Sequence, residues 1–150
     1  MLRVSIASPQ EIVPIERATL RQIARAVLEG EEIGEAEISL AFVDNRTIHQ
    51  LNMRYLQHDE PTDVLTFPLS ESSARKLTGE IVIGAEVALA AAQVHGHEVQ
   101  AELALYVIHG ILHLCGYGDK AAAEAIEMHE RERHYLRQLG LPDIAPVVEE

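Results

Sequence analysis

His109 and His113 stand four residues apart in an apolar run, and Gly116, Gly118 and Asp119 follow directly behind them. On a helix, residues at that spacing lie one above the other on one face, so the two imidazoles can address one metal ion. Gly116 can end the helix in the left-handed conformation and Gly118 adds backbone freedom, which lets the chain turn back and deliver the Asp119 carboxylate as a third ligand. The pattern is HxxxHxxGxxD. Three protein donors leave the fourth tetrahedral position to water, the arrangement of a catalytic rather than a structural zinc site. A histidine pair at this spacing is by itself more often packing or coincidence. The glycine turn and the carboxylate, in a helix otherwise stripped of polar groups, reverse that balance. Gly110 adds a condition, because a glycine inside a helix costs ~1 kcal/mol relative to alanine. Its place beside a candidate ligand points to close approach by substrate or another chain segment, or equally to tight helix packing. It also weighs against peptide hydrolysis, since zinc peptidases with HExxH carry their general-base glutamate at that position.

These residues need a helix and a turn, and the rest of the chain supplies a scaffold for them. Leu2 to Ile6 reads as a strand, and Glu11 to Glu29 spaces Ile12, Ile15, Ile23, Val27 and Leu28 as a helix that Gly30 ends. Glu37 to Val43 reads as a second strand, after which Asp44 or Asn45 caps a helix carrying Ile48, Leu51 and Met53. The polar cluster from Asp59 to Asp63 breaks the pattern. Val64 to Phe67 and Glu80 to Ile83 are β-prone runs suited to adjacent strands. Three helices follow, over Glu86 to His95, Glu98 to Leu114 and Ala121 to Leu139. The expected class is α+β, a small mixed β-sheet with helices packed on it and the metal site on a central buried helix and the turn that follows.

Composition narrows the function classes. The 150 residues, 47% apolar and 24% charged, suit one globular domain over 1–150 and exclude disorder. With few aromatic residues, the core must be built from Leu, Ile, Val and Ala. The longest apolar run, Leu103 to Cys115, is too short for a bilayer-spanning helix of ~20 residues, so no membrane role is expected. The first residues lack an apolar signal core, and the single Cys115 has no intramolecular disulfide partner, so a cytoplasmic location is expected. A formal charge of −12 argues against nonspecific coating of nucleic acid, while local recognition of RNA stays open.

Several ordered motifs resemble the YbeY family of bacterial rRNA-maturation endoribonucleases. Leu51-Asn52, Tyr55, Asp59 and the run Pro61 to Pro68 look like its LN..YR..D.PTDVLSFP block, and Gly79 to Ile83 is similar to its GDIVI strand. Glu102-Leu103 stands where the family has EL, His109 to Tyr117 matches HGxLHLxGY, and Met128 and Glu132 fall at its MxxxE spacing. The resemblance implies a zinc-like divalent ion held by three residues and single-strand-specific cleavage of ribosomal RNA. It further implies work on the small ribosomal subunit with its assembly factors. The family motif usually ends GYDH, with histidine as third ligand. Here Asp119 occupies that position, which makes the site harder and more anionic and admits manganese or nickel beside zinc. Leu56 stands where the family has an arginine linked to activity.

The resulting assignment is a metal-dependent endoribonuclease with one divalent ion, Zn2+ favoured, on His109, His113 and Asp119. His109 is also the catalytic residue, and no separate general base is identified. A noncatalytic, metal-braced ribosome-assembly factor is the alternative that Leu56 favours. A zinc metallopeptidase is raised by HxxxHxxG and lowered by Gly110. Arg54, two positions from Leu56, points the wrong way on a helix to replace the missing arginine. Arg17, Arg21 and Arg25 form a stripe that either touches RNA phosphates or is the wet face of a helix. His95, His97, His129 and His134 read as polar surface residues. Asp63 either caps the loop or lines the cleft.

Overall fold

A computed structural model describes residues 1–56 and 63–146. Asp59, Pro61 and Thr62 of the polar cluster lie outside the described residues. Four strands, β1 (Leu2–Ala7), β2 (Ala36–Val43), β3 (Val64–Pro68) and β4 (Leu77–Gly84), form one sheet in the order β1-β2-β4-β3. β1, β2 and β4 run parallel, and β3 pairs antiparallel with β4, placing Thr66 opposite Ile81. The helices are α1 (Arg17–Gly30), α2 (Asn45–Leu56), α3 (Ala85–His95), α4 (Val99–Leu114) and α5 (Ala122–Gln138). The expected α+β class and mixed sheet are therefore what the chain forms.

Two element boundaries depart from the periodicity. Helix α1 begins at Arg17 rather than Glu11, and Ile12 is exposed: Pro14 disfavours helical backbone in the residue before it, and the segment is held instead by Gln10, whose side chain bonds both the N–H and the carbonyl of Val13. Of the two candidates Asp44 and Asn45, it is Asp44 that caps α2, its Oδ1 accepting the Thr47 N–H at 2.8 Å, and Met53 of that helix is exposed.

The sheet has two apolar faces because its alternation is read from both sides. On one face Val43, Ile48, Leu65 and Val82 form a small cluster under α2. On the other, Ile81 and Ile83 join the main core with α1, α4 and α5. Helix α4 is the centre of that core. Twelve of its sixteen residues are buried, as expected for a helix that is apolar all round. It lies so close to the sheet that a Cβ on Gly110 would stand 2.7 Å from Ile81 Cγ2. Of the readings open for Gly110, close approach by another chain segment is the one realised, and that segment is β4.

The arginine stripe has a third role. Arg17 donates to the Ile6 carbonyl at 2.7 Å and Arg21 to that of Val4 at 3.0 Å. Both carbonyls belong to the edge strand β1, so two of the three guanidinium groups cover an exposed ladder edge.

Candidate metal centre

Helix α4 carries His109 and His113 as neighbours on one face, their rings parallel within 10° and their centroids 6.3 Å apart. The helix ends in a Schellman motif: Tyr117 N–H donates to Leu112 O and Gly116 N–H to His113 O, both at 3.1 Å. Gly116 has φ +107°, a conformation that side chains disfavour. Gly118 is not in the left-handed region. Its hydrogen side faces the carboxylate of the exposed Glu124.

The turn returns Asp119 to the helix, with its Oδ2 3.5 Å from His109 Nε2. His109, His113 and Asp119 line one pocket with Lys120 and with Val64, Leu65 and Thr66 of β3. On the far side of the His109 ring, Nδ1 donates to Glu132 Oε2 at 2.7 Å, and Glu132 Oε1 accepts from His129 Nδ1 at 2.6 Å. Glu132 is 1% exposed, delivered from α5 into the base of α4. The carboxylate fixes the His109 tautomer, leaving Nε2 and its lone pair facing Asp119, as metal-binding histidines require. Burial alone would push the His109 pKa down. The Glu132 hydrogen bond, together with the charges of Glu132, Asp63 and Asp119, outweighs that effect and holds it above the ordinary value. His113 Nδ1 is buried and has no hydrogen-bond partner among the described residues.

The donor chemistry of this pocket fits a divalent ion: two imidazoles and one carboxylate. Among the described residues, however, the three donors lying within 4.8 Å of one another belong to His95, His97 and Glu102. The residues read from sequence as surface histidines thus divide. His95 and His97 line a cavity with Glu102 and Tyr106, and His129 lines it as well and is tied to His109 through Glu132. Only His134 stays outside, edge-on to the Tyr135 ring. A carboxylate at i+3 from His129 was a local clue in the sequence, but nothing local linked it to His109, 23 residues earlier.

Asp63 does both things proposed for it. Its Oδ1 accepts the Val64 N–H at 2.8 Å, and the residue also lines the cavity beside His109. Arg54 lies over the ring of its neighbour Tyr55, 5.4 Å from the centroid, on the helix that covers the opposite face of the sheet from α4. Burial and the Glu31 charge push the Cys115 thiol up to about 12, which removes it as a nucleophile.

The family model described as endoribonuclease YbeY matches residues 5–140. The chain belongs to the YbeY family. An endoribonuclease YbeY from Carboxydothermus hydrogenoformans is 39% identical over 138 residues, covering 91% of this chain and 96% of the relative. One from Desulfitobacterium hafniense is 40% identical, covering 79% and 82%. A solution structure of a Thermotoga maritima protein superposes with a TM-score of 0.63 at 30% identity, covering 93% of this chain and 89% of that one. None of the helices among the described residues is long and apolar enough to cross a membrane.

The turn that carries Asp119 is braced from below. Glu31, at the end of α1, accepts from Tyr117 Oη at 2.8 Å, from Arg131 Nη2 at 2.5 Å and from the Tyr135 hydroxyl. Burial raises the Glu31 pKa, but the hydrogen bonds from Tyr135, Arg131 and Tyr117 and the Arg131 charge outweigh it, so its pKa lies below 4.5. The folded state therefore takes up this proton less readily than the unfolded chain. The stabilisation is full above the unfolded value and is lost as pH falls through the folded one. Glu31→Gln is expected to lower the melting temperature at pH 7 and to flatten the loss of stability below pH ~4.5. Parallel melting curves of parent and variant from pH 3 to 7 check this, and parallel acid limbs would contradict it.

Proposed function

We propose that this chain is a metal-dependent endoribonuclease that cuts single-stranded ribosomal RNA during small-subunit maturation, with His109, His113 and Asp119 holding one divalent ion. The observation that carries the reading is His109, gripped by a buried carboxylate at Nδ1 while Nε2 faces Asp119 in a pocket open along β3. A bound ion would supply Lewis acidity toward a phosphoryl oxygen and acidify a water at neutral pH. The protein's own part is positional: Glu132 fixes the ring, the Gly116 turn sets the carboxylate, and Asp63 adds negative charge beside the site. Zn2+ suits the imidazoles, while Asp119 widens the choice toward manganese and nickel. A protein of charge −12 repels a polyanion at long range. Lys120 at the pocket rim offers a local contact, and the small ribosomal subunit with its assembly factors would present the RNA. The reading places the protein in the cytoplasm.

Packing disfavours the peptidase alternative. The position where HExxH enzymes carry their base is Gly110, already closed against Ile81. The parent protein is expected to cleave a labelled single-stranded RNA in a chelator-sensitive way and to leave a labelled peptide intact. Asp119→Ala should lose the ion held by His109 and His113, and cleavage with it, whereas Asp119→His should keep that ion and shift preference toward zinc. Chelator-sensitive proteolysis, or an Asp119→Ala variant that binds metal and cuts RNA like the parent, would refute the reading.

A further inference from the structure

We infer that His95, His97 and Glu102 form a second divalent-metal site, distinct from the one on His109, His113 and Asp119. Their donor atoms lie within 4.8 Å of one another, on the wall of a cavity of ≈ 380 Å³ that His109, His129 and Glu132 also line. The two groups are set apart along α4. Glu102 and His109 are both on α4, seven residues apart, which is about 10 Å along a helix axis.

The backbone builds this group deliberately at a helix–helix corner. Helix α3 ends at His95, Gly96 caps it with φ +71°, and His97 N–H closes back on Ala92 O at 2.9 Å. The turn stacks the two rings, with centroids 5.7 Å apart. Glu102 then reaches in from the first turn of α4, 5% exposed, with its Oε1 2.8 Å from His97 Nδ1. The tautomer of His95 is set for ligation: Nδ1 donates to the Ala91 carbonyl at 3.0 Å, leaving the Nε2 lone pair free. Tyr106 lines the same cavity beside Glu102, and burial and the Glu102 charge push its phenol up.

Two imidazoles and one carboxylate select a borderline transition metal such as Zn2+, Co2+ or Ni2+ over Mg2+ or Ca2+, which take oxygen ligands. Three protein donors leave a position open to the cavity. The site does not depend on whether the chain cleaves RNA, and its test does not use activity.

The experiment is metal stoichiometry on the full chain, stripped with chelator, dialysed against Zn2+ and measured by elemental analysis. The parent is expected to bind two equivalents. His95→Ala, at an exposed position that folding tolerates, and Glu102→Gln should each bind one fewer than the parent, and His134→Ala should bind as many. Cobalt supplies a second readout. Asp119→Ala loaded with Co2+ should show a visible d–d band that is absent when His95→Ala is added. A His95→Ala protein that binds as much Zn2+ as the parent, or a cobalt band that survives that change, overturns the proposal. Loss of an equivalent in His95→Ala but none in Asp119→Ala would uphold this site and count against the other.

Discussion

His109→Ala is expected to reduce RNA cleavage by about 10³-fold or more, because loss of a bound ion's charge stabilisation is worth several kcal/mol and each 1.36 kcal/mol is tenfold. The magnitude follows from the position of this ring. Its Nε2 faces Asp119 and its Nδ1 is held by Glu132, so its removal takes away a donor and the link between the pocket and α5 together. The fold should survive, since α4 keeps its apolar contacts on every other face. Single-turnover cleavage of a labelled RNA, with metal content and a melting curve on the same preparation, makes the measurement. Cleavage within tenfold of the parent by a folded, metal-poor His109→Ala protein would remove both the catalytic and the ligand role.

Glu132→Ala should have the largest effect on stability. The carboxylate is 1% exposed and accepts from two part-buried imidazoles at 2.7 and 2.6 Å, so its loss leaves both ring nitrogens without this partner. Removing one partner of a buried ionic or strongly hydrogen-bonded set costs ~3 kcal/mol or more. For a domain of this size that is roughly 6 to 12 °C in melting temperature. Glu132→Gln keeps the shape and one acceptor oxygen. It should recover about half of the loss, since an amide cannot accept from both rings with oxygen. Metal affinity should fall about 10- to 100-fold in either variant, the usual cost of releasing a ligand from its supporting carboxylate. Melting curves and a zinc titration of the three proteins decide the matter. A drop of less than ~2 °C for Glu132→Ala with unchanged affinity would show the carboxylate to be dispensable.

The two proposed sites differ in how they could be read. HxxxHxxGxxD was legible because its parts are local: the i, i+4 spacing, the Gly116 turn and the six residues from His113 to Asp119 are all fixed by backbone geometry. HxHxxxxE at His95, His97 and Glu102 is as local, yet it spans a helix end and a helix start. Its convergence rests on a left-handed Gly96 and on the angle between α3 and α4, which no periodicity specifies. Glu132 was visible as a motif residue only. Its entry between His109 and His129 depends on the docking of α5.

The sequence by itself determined the class of fold, the order of strands and helices, the apolar character of α4 and the turn that returns Asp119, all consequences of short-range sterics and hydrogen bonding. Only the tertiary structure decided that Gly110 is closed by Ile81, that Arg17 and Arg21 cover the β1 edge, and that Glu132 grips His109. These contacts join residues 11 to 29 positions apart. They form when apolar burial brings whole elements together, and a non-directional force leaves no pairing rule in the local sequence.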